Sequence, residues 1–67
     1  MLSNLSAEMA RYGVSVMDIA NALGVTDRTV RSKLAGEHEF SFYDAEKIRD
    51  KLFPTLRLEY LFRENAE

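Results

Sequence analysis

With 67 residues the chain makes one small domain, near the lower size at which folding succeeds without a metal or disulfide. It has no cysteine, which excludes a disulfide framework and any thiolate-held zinc or iron–sulfur centre. An apolar share of 46% is too high for a disordered chain, and no apolar run approaches the roughly 20 residues of a membrane span. The formal charge of −2 is unevenly spread: residues 1–36 carry Arg11, Arg28, Arg31 and Lys33 against Glu8, Asp18 and Asp27, whereas residues 37–67 hold eight acids against five bases.

Leu2, Leu5, Met9 and Tyr12 recur at spacings of three and four and predict an amphipathic helix over 3–12, capped by Ser3 or Asn4, with Glu8 and Arg11 on its outer face. A second helix is predicted over 15–23, turning Ile19, Ala20 and Leu23 inward. Gly24 stops it, since glycine readily takes the left-handed conformation that closes a helix, and Val25 is placed to fold back as the apolar contact of such a cap. A third helix over 26–35 starts at Thr26 as N-cap and points Val30 and Leu34 inward. After Gly36 comes the polar connector "EHEF". A fourth helix over 41–53 turns Phe42, Ala45, Ile48 and Leu52 or Phe53 inward until Pro54 ends it. The last, over 56–63, has Thr55 as cap and Leu58, Leu61 and Phe62 inward, with Leu56 and Tyr60 on another side. The polar end "RENAE" is expected to fray.

One pattern occurs three times: an apolar residue, a hydroxyl residue, two others, then a polar residue. Val14-Ser15 with Asp18, Val25-Thr26 with Thr29, and Phe40-Ser41 with Asp44 fit it, each hydroxyl being an N-cap and each preceding residue a hydrophobic staple. The first and third add an acid at the third helical position, a capping box. There is no internal repeat beyond this, no low-complexity segment, no linker and no strand signal. The whole of 1–67 reads as one all-α domain of five helices.

The pair of helices in "SVMDIANALGVTDRTVRSKLAG" forms a helix-turn-helix pattern. With small Ala20, Gly24 four residues on, and apolar Ile19, Leu23, Val25 and Val30, it resembles the DNA-binding domain of phage lambda-type repressors and Cro proteins, the XRE-like family. The flanking helices extend the resemblance over nearly the whole chain, and it implies a compact five-helix lambda repressor-like fold. Two positions depart from the family pattern. Lys33 stands where an apolar residue is usual, with the apolar residue moved to Leu34, and a lysine can bury its stem and send its ammonium out. Val16 stands where the family often has a glutamine that reaches a phosphate.

The resemblance implies double-stranded DNA as partner, with helix 26–35 in the major groove. By position Asp27, Arg28, Arg31 and Ser32 are the base-reading candidates. Arg28 is the strongest chemically, because a guanidinium fork matches the N7 and O6 of guanine. Asp27 also suits the helix dipole without any ligand. Phosphate contacts fall to Ser15, Thr26, Thr29, Lys33, His38 and Ser41. His38 has neither metal-ligand companions nor a nucleophile near it in sequence. No catalytic constellation, metal set or cofactor motif stands out, so the chain is expected to be neither an enzyme nor a binder of a small-molecule substrate. Its start, "MLSNLSAEMARYG", lacks the features of a signal peptide, so a cytoplasmic location is expected, and the resemblance implies a regulator of transcription of phage or prophage type. A weak homodimer through Leu56 and Tyr60 would set two copies on one site. The competing expectation is a protein-interaction module, an antirepressor or assembly partner that keeps the same fold.

Overall fold

The computed structural model describes residues 2–63. Among these it holds five helices and no strand: α1 (Ser3–Tyr12), α2 (Val16–Leu23), α3 (Asp27–Leu34), α4 (Phe42–Leu52) and α5 (Leu58–Leu61). No helix of the described residues is long and apolar enough to cross a membrane. The end of the chain expected to fray lies, beyond Arg63, outside the described residues.

One side chain from each helix meets at the centre: Leu5, Ile19, Val30, Ile48 and Leu61 are all fully buried. Each such burial contributes about 1.5–3 kcal/mol, so five short helices that could not persist singly hold one another. α2 packs against α3 and α4, and α5 against α1 and α4. Ala20, with 1% exposure, is the small residue on α2 in this core.

The helix starts follow the threefold pattern. Ser15 Oγ accepts from the Asp18 N–H at 3.0 Å and Asp18 Oδ2 accepts from the Ser15 N–H at 2.9 Å, a complete capping box. Thr26 caps α3 by accepting from Thr29 N–H at 3.3 Å, and Ser41 caps α4 by accepting from Asp44 N–H at 3.0 Å. At α4, however, the Asp44 carboxylate turns to Lys33 on α3. At the end of α2, Gly24 takes φ 73°, and the N–H groups of Gly24 and Val25 both donate to the Ala20 carbonyl, at 2.8 and 3.0 Å. Val25 closes the helix through its backbone, and its side chain stays 40% exposed instead of folding back.

Several sequence expectations are corrected. Neither Ser3 nor Asn4 caps α1: Leu2 holds the cap position, and the Asn4 amide instead donates to the Tyr60 carbonyl at 2.8 Å, fastening α1 to α5. Glu8 is not on an outer face. It is 5% exposed and accepts a 2.7 Å hydrogen bond from Tyr60 Oη, with Arg11 Nε 3.2 Å away. That bond, aided by desolvation, holds the Tyr60 hydroxyl above its ordinary pKa. Tyr12 is 55% exposed and meets only the edge of Phe53, at 6.0 Å between centroids. Phe42 is 69% exposed, because Phe40 takes the apolar place against the core and packs edge-on against Phe62 at 5.5 Å. Of the paired alternatives at the end of α4, Phe53 is buried and Leu52 half-buried.

The last helix begins later than expected. Leu56 N–H donates to the Phe53 carbonyl at 3.0 Å, forming a turn through Pro54 and Thr55, so Arg57 rather than Thr55 holds the cap position. That turn directs Leu56 inward. Both Leu56 and Tyr60, expected off the core side, are half-buried and pack against the core.

Candidate nucleic-acid interface

Burial of Val30 fixes how α3 is rotated, because the one fully buried residue of this helix must face α2 and the centre. Arg28 and Arg31 are thereby exposed, while Asp27, Thr29, Ser32 and Lys33 are half-buried along its flanks. Gly36, at φ 91°, reverses the chain after α3, and Glu37 N–H returns to the Ser32 carbonyl at 3.0 Å. This reversal sets exposed His38 beside α3. Arg28, Thr29, Ser32, Lys33 and His38 together line a shallow cleft of about 340 Å³.

The charges around this cleft are unequal in availability. Arg31 Nε lies 3.7 Å from Asp27 Oδ2 in an exposed pair one turn apart, an arrangement worth a few tenths of a kcal/mol and easily exchanged. Ser32 Oγ donates to Glu37 Oε1 at 3.3 Å. Lys33 Nζ donates to Asp44 Oδ2 at 3.0 Å, with only 20% and 23% of the two side chains exposed, and stands 5.6 Å from the centroid of the Phe40 ring. Partial burial alone would raise the Asp44 pKa. The hydrogen bond and charge of Lys33, helped by the Ser41 N–H and hydroxyl, outweigh it and hold the carboxyl below its ordinary value. Arg28 has neither an ion-pair nor a hydrogen-bond partner among the described residues.

The candidate residues therefore divide. Arg28, Thr29, Ser32, Lys33 and His38 come together at the cleft. Asp27 and Arg31 pair with each other outside its lining. Thr26, Ser15 and Ser41 are exposed N-caps of α3, α2 and α4, and Ser41 lines a neighbouring groove that shares Lys33 and His38 with the cleft. Sequence reasoning missed Asp44 and Glu37, the two acids that engage Lys33 and Ser32. Lys33 and Asp44 are eleven residues apart on different helices, a separation that leaves no periodic trace. Among the described residues no cluster of histidine, aspartate and glutamate suits a metal ion.

Comparison of the chain with protein-family models, with curated proteins and with solved structures finds no match in any of the three.

Proposed function

We propose that this chain is a helix-turn-helix regulator of transcription that binds double-stranded DNA, with α3 reading base edges in the major groove. The observation that carries the reading is Arg28: an exposed arginine in the first turn of α3, without a partner among the described residues, beside Thr29, Ser32 and His38. Its fork suits the N7 and O6 of a guanine. Ser32 reads one turn further on, and Asp27 and Arg31 reach bases once their exposed pair opens. Thr26 and Thr29, with the N-caps Ser15 and Ser41 and the connector residue His38, supply phosphate contacts. Lys33 joins them only by leaving Asp44.

Two copies on a two-fold site one helical turn apart belong to the same reading. Leu56 and Tyr60 offer only their exposed edges to a contact between copies, far less than the roughly 1,200 Å² of a stable interface, so the free chain is a monomer or weak dimer. Selection of bound duplexes from a random pool, followed by salt titration of the winners, tests the proposal. Affinity that falls steeply with salt supports it. Absence of duplex binding at low salt overturns it.

A second reading, a protein-interaction module without DNA affinity, is favoured by the loss of Lys33 to Asp44, which leaves α3 with one base unpaired among the described residues. A tight protein complex together with no duplex binding selects it.

A further inference from the structure

The groove next to the cleft, about 660 Å³ in volume, runs between the α3–α4 connector, the first turn of α4, and α5. Its lining is more apolar than polar, with Phe40, Phe42, Leu58 and Phe62 prominent beside Lys33, His38 and Ser41, while Glu39 and Glu59 supply acidic groups. Phe42, at 69%, is the most exposed large apolar side chain among the described residues, and Tyr43 beside it is 64% exposed. An aromatic side chain left this bare at the lip of a concave apolar surface is what a docking site requires and a finished core does not.

The charge at the groove selects the occupant. Lys33 reaches it but is neutralised by Asp44 at 3.0 Å. Glu39 and Glu59 therefore set the sign. Arg57 meets Glu59 at 3.7 Å, but both side chains are largely exposed, 82% and 71%, so an incoming cation replaces it readily. We infer that this groove docks an amphipathic, lysine- or arginine-rich helical segment of a partner protein, its apolar stripe on Phe40, Phe42 and Phe62 and its cations at Glu39 and Glu59. Helix-in-groove recognition places apolar anchors at i, i+3, i+4 and i+7, which an open apolar groove accommodates. Arg28 does not line the groove, but Lys33, His38 and Ser41, phosphate contacts in the DNA reading, do, so a docked segment and a duplex would meet at those residues.

The test uses the full chain and two labelled synthetic peptides, one with leucines at that helical spacing and lysines elsewhere, the other with glutamates replacing the lysines. Fluorescence anisotropy is expected to show the lysine peptide binding at least about tenfold more tightly, a difference of about 1.4 kcal/mol. Phe42→Ser, an uncharged change at an exposed position, is expected to weaken the lysine peptide about tenfold with the helical circular dichroism unchanged, and Glu39→Lys to narrow the preference between peptides. Amide shifts on binding should centre on Phe40, Leu58 and Phe62. Equal binding of both peptides overturns the inference. So does full affinity in Phe42→Ser, which marks general charge attraction. Self-association abolished by Phe42→Ser, with no peptide binding, assigns the groove to a second copy and overturns it equally.

Discussion

The ammonium of Lys33 stands 3.0 Å from the carboxylate of Asp44, tying the last turn of α3 to the first turn of α4. The pair withdraws a cation from the face carrying Arg28. The Lys33 side chain is largely covered, with its ammonium 5.6 Å from the centroid of the Phe40 ring, so a lysine in a position that suits an apolar residue is accommodated without leaving a charge unpaired.

On the DNA reading, Asp44 holds back Lys33 from phosphate. Asp44→Asn is therefore expected to steepen the dependence of log affinity on log salt by about 0.9, the effect of one added phosphate contact. In a Lys33→Met background the same substitution should leave the slope unchanged. An equal steepening in both backgrounds would trace the effect to loss of an acid alone.

The pair also predicts a pH dependence. In the unfolded chain Asp44 titrates near its ordinary value of 3.8, and in the folded chain lower. Its contribution to stability is complete above the unfolded value and is lost as pH falls through the folded one. Urea unfolding of the native chain and of Asp44→Asn should differ by about 1 kcal/mol near neutral pH, and the gap should close below pH of about 4.

Arg28→Ala is expected to lower affinity for the selected duplex by about 1–3 kcal/mol and to relax the preference at one base pair. The check is the sequence logo: an unchanged logo would remove Arg28 from the role of reader.

Tyr60→Phe removes a 2.7 Å hydrogen bond to a carboxylate that is only 5% exposed, leaving Glu8 with Arg11 alone. A loss of about 1.5–3 kcal/mol in urea unfolding is expected. A loss near zero would mean that Glu8 finds water when the tyrosine hydroxyl is gone.

Gly24→Ala should destabilise by about 1–2 kcal/mol through backbone strain alone. Gly24 sits at φ 73°, yet a Cβ there would have open space around it, so crowding between α2 and α3 adds nothing. Thermal unfolding of this variant measures the left-handed conformation itself.

The five helices and most of their ends were legible in the sequence because they are set by local chemistry. Ser15, Thr26 and Ser41 each reach an amide three residues on, Gly24 closes its own helix, and Leu5, Ile19, Val30 and Ile48 declare themselves by a period that a single helix imposes. The exposure of Arg28 and Arg31 follows from that same period once Val30 is inside. What only the tertiary structure decided were the polar partners that join one helix to another. Glu8 reads as an outer residue of α1 until Tyr60, fifty-two residues away, arrives above it, and Lys33 reads as a free cation until α4 brings Asp44 alongside. Phe42 and Leu56 exchanged their expected sides for the same reason: which apolar residue near a helix end is covered depends on the angle at which the next element returns. Periodicity orders the residues of one helix around its own axis. The pairing of a charge across two helices depends on where both axes lie, which the packing of the whole core determines.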